Sequence, residues 1–289
     1  MHVFLTGATG WVGSAIVADL IAAGHQVTGL SRCAEKAAAI EAAGARGVRG
    51  SLADLEILAE ATAAADAVIH TAFDFANFAV GVEEDRRAIE AMGRALEGSD
   101  RPMLVTSGLA KLAPGRLATE DDRPDPTFAR QSEAAALVVR SRGVRVTTVR
   151  LSPSVHGVGE THGFVPYLIA LARRTGVSAY IGDGNNRWAG VHRLDAARLY
   201  RLVLEQGVTE AAYHAVADEG VPFRVIATVI GGVLGLPVEP RPSEHFGWFA
   251  SFVGGDMAAS SARTRMLTGW NPVGPDILSD IGQSDYYAR

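Results

Sequence analysis

The chain has 289 residues, 48% of them apolar, which is enough for a large buried core. Its 27 basic and 32 acidic side chains leave a net charge of −5 with no basic block, which argues against nucleic acid as the main partner. A single cysteine, Cys33, excludes an internal disulfide and suits a reducing cytoplasm, and no Cys/His cluster has the spacing of a zinc site.

Residues 2–6 form a short apolar run, followed by glycines and then by Val12, Ile16 and Leu20 at a spacing of four, the pattern of a strand feeding a helix. The same alternation continues. Strands are predicted at 26–30, 46–49, 67–70, 103–106 and 144–151, with helices at 34–43, around Leu52 to Leu58, through Val82, Ile89, Met92 and Leu96, and at 131–140. Alternation with short connections implies right-handed crossovers and an α/β fold, a doubly wound parallel Rossmann sheet buried on both faces. After Pro153 the rhythm changes to glycine-rich loops, mixed strands and six prolines from 222 to 275. The domain reading is a dinucleotide-binding domain over 1–155 and a smaller substrate-side lobe over 156–289, with 186–206 returning to the main sheet. The apolar run 225–238 is too short to span a bilayer and reads as a buried helix, so no membrane partner is expected.

Residues 6–13, TGATGWVG, place Gly7, Gly10 and Gly13 between the first strand and the first helix. Gly7 suits a tight turn, Gly10 lets the backbone approach a pyrophosphate, and Gly13 lets the helix pack close. Free amides at the helix start, in the stretch Thr9, Gly10, Trp11, Val12, favour negative charge. Strand two ends in Ser31-Arg32, where an acidic residue would have met a ribose 2′-hydroxyl; arginine meets a 2′-phosphate, which favours NADP over NAD. Asp54, after the third strand, is either an acceptor for the adenine amino group or a helix cap.

The TGxxGxxG turn, Val68-Ile69-His70, Thr106-Ser107, the run RLSPSVHG at 150–157, VHRLDAA at 191–197 and LTGWNP at 267–272 together resemble the extended and atypical short-chain dehydrogenase/reductases over nearly the whole chain. The resemblance implies NAD(P) at the carboxyl edge of the sheet, with Thr71, Ala72 and Thr106 lining it, a C-terminal substrate lobe, and often a homodimer. It also exposes a gap. Such enzymes use Tyr-x-x-x-Lys, the lysine lowering the phenol's pKa for proton exchange with a carbonyl oxygen. Only Lys36 and Lys111 are lysines among the 27 basic residues, and neither lies four residues after any of the six tyrosines. The family spacing puts Asp125 and Ala129 near the two positions.

Candidate replacements are Ser107, matching the family's carbonyl-binding serine; His156, where an aromatic residue is common; and His192, ahead of Asp195. Arg130 and Glu133, three apart on the helix that usually carries the tyrosine, are expected to pair with one another. Phe73, Phe75 and Phe78, with Trp188, Phe246, Trp248 and Phe249, line an apolar pocket or fill a core. The leading expectation is an NADP-dependent reductase of a carbonyl or other polarised double bond on a small, moderately apolar substrate. The alternatives are a non-catalytic redox sensor or scaffold of the NmrA-like kind and a sugar-nucleotide epimerase or dehydratase. No metal is expected.

Overall fold

The structure is a computed structural model that describes residues 1–287. In chain order the first elements are β1 (His2–Thr6), α1 (Trp11–Ala22), β2 (Gln26–Ser31), α2 (Ala34–Ala42), β3 (Arg46–Arg49), α3 (Leu55–Ala63), β4 (Ala67–His70), α4 (Phe78–Leu96), β5 (Met103–Gly108), α5 (Ser132–Ser141) and β6 (Val146–Leu151). They are followed by β7 (Ser154–His156), α6 (Phe164–Thr175), β8 (Ser178–Tyr180), β9 (Arg187–His192), α7 (Arg193–Gln206), β10 (Ala212–Ala215), β11 (Asp218–Pro222), α8 (Phe223–Leu234) and β12 (Val238–Pro240). A 3-10 turn at Ser243–Phe249, then α9 (Ala250–Val253), α10 (Ala262–Thr268) and α11 (Ile277–Ile281), lead to the final 3-10 turn, Ser284–Tyr287.

The chain divides into two compact units. The first holds Met1–Ser107, Pro124–Arg150 and Ala197–Tyr213; the second holds Gly108–Arg123, Leu151–Ala196 and the residues from His214 on. The first is built on a seven-stranded sheet in the order β10-β6-β5-β4-β1-β2-β3. Its β1 runs parallel to both β2 and β4, β2 to β3, and β4 to β5. The order reverses direction between β1 and β4, the doubly wound pattern that the alternation of elements predicts. Strand residues Phe4, Val68, Met103 and Val105 are buried against Ala88, Ile89, Met92 and Leu96 of α4 and Ala135, Ala136 and Val139 of α5. Both faces of such a sheet are covered, so its strands read as continuous apolar runs.

The second unit has a three-stranded sheet, β11-β9-β7, and a two-stranded one, β12-β8. The expectation for 186–206 needs correcting in part. The strand within it, β9, pairs with β7 and β11, and it is β10 that joins the seven-stranded sheet, while residues 197–213 do belong with the first unit. The cause is Trp188: its indole is fully buried, 4.9 Å from the Phe223 ring and 6.1 Å from Phe249, with Nε1 donating to the Phe252 carbonyl. That aromatic core fixes β9 in the second unit. The run after residue 222 is the buried helix expected, α8, and no helix among the described residues is long and apolar enough to cross a membrane.

Candidate functional site

In the first unit the phosphate turn is shaped by close backbone contacts. Gly7 has φ +75°, and a Cβ there would stand 2.5 Å from Thr71 Oγ1 and 2.8 Å from the Ala72 nitrogen; a Cβ on Gly13 would stand 2.0 Å from the Gly7 carbonyl oxygen. Only glycine satisfies both positions. Gly10 stands at the N-cap of α1 with extended backbone, and as a glycine it puts no side-chain oxygen of its own on the helix's first amides. Thr71 Oγ1 donates to the Thr6 carbonyl at 2.8 Å, and the Ala72 amide donates to Thr6 Oγ1 at 3.3 Å. These bonds clamp the end of β4 against the end of β1, which is how Thr71 and Ala72 come to border the turn. The turn fits a dinucleotide phosphate: a glycine-only approach, a helix start with glycine at its N-cap and a rigid floor.

Ser31 is buried at the end of β2, and Arg32 beside it is exposed, with no hydrogen-bond or ion-pair partner among the described residues. Asp54 stands at the N-cap position of α3, but its Oδ2 accepts from the Ser51 amide at 2.7 Å and the Ser51 hydroxyl at 2.8 Å rather than from a helix amide.

Beyond the turn, a chain of polar groups runs along the carboxyl ends of β1, β4 and β5. Thr6 Oγ1 lies 2.7 Å from His70 Nδ1, and His70 Nε2 lies 3.0 Å from Asp85 Oδ1. The imidazole thus bridges the Thr6 hydroxyl and the Asp85 carboxylate through its two ring nitrogens. Burial pushes the Asp85 carboxyl up, but the bond and charge of His70, the charge of Arg130 and the Ser132 hydroxyl outweigh burial and hold it below the ordinary carboxylate value. Ser132 Oγ donates to Asp85 Oδ2 at 2.6 Å and accepts from Arg130 Nε at 2.8 Å; Arg130 Nη2 donates to the Thr106 carbonyl at 3.0 Å. Thr106 Oγ1 meets the Tyr200 hydroxyl at 2.7 Å, and burial pushes that phenol far up.

The expected Arg130–Glu133 pair does not form. Glu133 is buried and takes Arg150 of β6 in a two-pronged bond, 2.9 Å from Nε and 2.5 Å from Nη2. Arg150 can present its planar fork to both carboxylate oxygens, whereas Arg130 points at strand β5 instead. The Phe73 ring lies 4.3 Å from the Arg130 guanidinium carbon, with Phe75 and Phe78 packed against Phe73 at 4.7 and 5.5 Å. Ser107, the next residue along β5, is half-buried and its hydroxyl has no partner among the described residues. Asp125 accepts from the Thr127 amide and hydroxyl in a turn of its own.

The two histidine candidates lie in the second unit, paired across β7 and β9 with rings 5.8 Å apart. His156 is fully buried, its Nδ1 2.7 Å from Asp280 Oδ2 and its Nε2 3.9 Å from the Asp218 carboxylate, without a hydrogen bond. Committed to Asp280 and closed from solvent, it serves the packing of this unit. His192 is half-buried, and burial followed by the neighbouring His156 charge lowers its pKa. Asp195 is structural: its carboxylate accepts the Gly274 amide at 2.7 Å, and its carbonyl accepts Trp270 Nε1 at 2.9 Å. Phe246 and Phe249 are core residues, while Trp248 is 68% exposed. Arg187 is taken by Asp256 at 2.7 Å. No group of three or more His, Cys, Asp or Glu among the described residues is arranged to hold a metal ion.

Sequence reasoning missed His70 and Arg130 as members of one network. One signal was legible: Asp85 lies on the buried face of α4 with Ile89, Met92 and Leu96, and a carboxylate there requires partners.

A glycine turn of this geometry, opening a doubly wound parallel sheet, defines a dinucleotide-binding protein. Residues 7–163 match the family described as NAD(P)H-binding. The chain belongs to that family. An uncharacterized protein of Schizosaccharomyces pombe is 44% identical over 296 residues, covering 99% of this chain and 100% of its own. A 4-hydroxy-2-methyl-3-oxo-4-farnesyl-3,4-dihydroquinoline-1-oxide ketoreductase of Stigmatella aurantiaca is 27% identical, covering 83% of this chain and 75% of its own. Among solved structures, DesIV, a dTDP-glucose 4,6-dehydratase from Streptomyces venezuelae with NAD and TYD bound, shares the fold with a TM-score of 0.78 at 19% identity, covering 99% of this chain and 97% of that one.

Proposed function

We propose that the protein is an NADP-dependent reductase of a carbonyl or other polarised double bond on a small, moderately apolar molecule. The observation that carries this reading is Ser107, a half-buried hydroxyl with no partner among the described residues, on the strand whose neighbouring peptide is held by Arg130. The first amides of α1 receive the pyrophosphate, and Arg32 receives the 2′-phosphate. The nicotinamide, when bound, supplies a hydride to the carbonyl carbon. Ser107 Oγ donates its hydrogen bond to the substrate oxygen as charge develops there; the proton that the oxygen takes up is replaced at Ser107 from water. Oxidoreductase chemistry is supported by the Stigmatella relative, which carries the name of a ketoreductase.

The test is consumption of NADPH, and separately of NADH, by the purified full chain against a panel of ketones, aldehydes and enones. The expected result is turnover with NADPH, lowered about 10²- to 10³-fold in kcat by Ser107→Ala with NADPH affinity retained, the usual cost of losing one such donor. Intact NADPH binding with no turnover on any panel member would sink this reading in favour of a cofactor-binding sensor. That alternative draws support from the absent Tyr-x-x-x-Lys pair, and its own test is capture of a partner protein only when NADP is bound.

A further inference from the structure

We infer that Arg130 is the substrate-binding cation of this site, and that it selects substrates presenting a carboxylate near the reacting carbonyl: oxo acids. The inference rests on the reductase reading and adds the substrate class to it.

The argument starts from what holds Arg130. A guanidinium has five N–H donors in a rigid plane. Nε donates to Ser132 Oγ and Nη2 to the Thr106 carbonyl. Nε–H and one Nη2–H leave the same edge of the plane, so these two bonds consume that edge. The end edge, where Nη1 and Nη2 present parallel N–H groups, has no partner among the described residues. Phe73 covers one face of the plane, and the N–H donors left for a ligand lie on the end edge. A fork of two parallel donors matches two acceptor oxygens in one plane, the geometry of a carboxylate.

Charge supports the same conclusion. Arg130 is half-buried, yet no carboxylate touches it: Glu133, three residues along, is taken by Arg150, and Asp85 reaches it only through Ser132. A partly desolvated cation without a direct anion is costly, and the cost is relieved when a ligand supplies negative charge. Position completes the case. The carbonyl that Arg130 holds belongs to the peptide bond joining Thr106 to Ser107, so the free edge and the free hydroxyl are fixed to the same strand end.

The probe is acetoacetate, titrated calorimetrically into the NADP-saturated full chain, beside its neutral ethyl ester and inorganic phosphate at matched ionic strength. Binding is read without turnover, so failure of the reductase reading, which is absence of NADPH consumption, stays distinct from failure of this one. Acetoacetate is expected to bind at least tenfold tighter than the ester or phosphate. Arg130→Gln is expected to abolish that preference while NADP affinity stays within twofold. Arg130→Lys keeps the charge but loses the fork, and is expected to weaken acetoacetate at least fivefold. Should the glutamine variant fail to fold, the lysine variant decides alone. Unchanged acetoacetate affinity in either folded variant overturns the inference, as does phosphate or the ester binding as tightly as acetoacetate. A variant that weakens NADP instead overturns it too, by making Arg130 a cofactor contact.

Discussion

Gly13→Ala isolates the link between the backbone of the turn and cofactor binding. In most helix interiors this change gains about 1 kcal/mol from propensity. Here the new Cβ would stand 2.0 Å from the Gly7 carbonyl oxygen and 2.8 Å from its carbon, and both are backbone, so no side chain can swing away. Relief requires the start of α1 to move by on the order of 1 Å, and overpacking of this kind costs about 1–3 kcal/mol, largely cancelling the propensity gain. The affinity effect is larger. Amides that meet phosphate oxygens near ~2.9 Å lose their bonds when displaced by ~1 Å, and two charge-assisted bonds at ~1.5 kcal/mol each amount to about 3 kcal/mol, roughly a 100-fold rise in Kd. Gly232→Ala is the internal control, since a Cβ there meets nothing within 4 Å in the last turn of α8. The assay is NADPH titration by fluorescence with thermal unfolding alongside. If Gly13→Ala binds NADPH within twofold of the parent while Gly232→Ala behaves identically, the turn is not the phosphate site and the reasoning fails.

Three other outcomes follow from particular contacts. Glu133→Gln leaves Arg150 buried without its carboxylate and is expected to cost about 3–5 kcal/mol in urea unfolding, whereas the double change Glu133→Leu with Arg150→Met is expected to recover most of it; equal losses in both would refute the account. Burial pushes the Glu160 carboxyl, which accepts from the Tyr286 hydroxyl, up to about 8 from its ordinary 4.5. The folded state therefore keeps a proton that the unfolded chain releases, so this stabilisation is complete below 4.5 and falls as pH rises towards 8, by about 1.4 kcal/mol per unit. Glu160→Gln should flatten that slope in urea midpoints taken across the range, and an unaltered slope would contradict the assignment. Arg32→Ser should raise the Kd for NADPH about tenfold and leave that for NADH nearly unchanged, and equal effects on the two would make Arg32 a bystander.

Most of the first unit was legible because its strands are short apolar runs and its helices carry apolar residues at a spacing of three or four, patterns that survive without tertiary context. The glycine turn was legible for a different reason: Gly7 and Gly13 each occupy a place where a Cβ would strike backbone, so their spacing encodes the contact itself. β9 was harder. Residues 188–191 are all buried, and a fully buried strand reads the same in the large sheet as in the small one. Trp188 decided its place through Phe223 and Phe249, partners more than thirty residues downstream. The Arg130–Glu133 expectation failed for a related reason. Spacing of three favours a pair on an exposed helix surface, but Glu133 faces β6, where Arg150 offers a buried two-pronged partner.

That exchange of partners determines the chemistry available at the strand ends. With Glu133 satisfied by Arg150, the region where the usual lysine is missing still holds a cation, Arg130, one residue beyond the position of Ala129. Arginine is not a lysine in different dress. A lysine beside a tyrosine shifts the phenol's pKa and lets it shuttle a proton, whereas a guanidinium remains charged and does no acid-base work near neutrality. The nearest phenol along the network, Tyr200, is buried, pushed up by that burial and bonded to Thr106, so it cannot take the missing tyrosine's part. What remains is a fixed positive charge with an open edge and a serine hydroxyl beside it, a combination suited to holding an oxygen as negative charge grows there. Rigidity makes it effective: Asp85, held by His70 and Ser132, fixes the arginine through Ser132, and His70 in turn holds Thr6 at the mouth of the phosphate turn. The glycine turn and Arg130 are thus joined by one continuous chain of hydrogen bonds, and the proposed reductase would draw on that preorganised charge to hold the oxygen while Ser107 passes its proton.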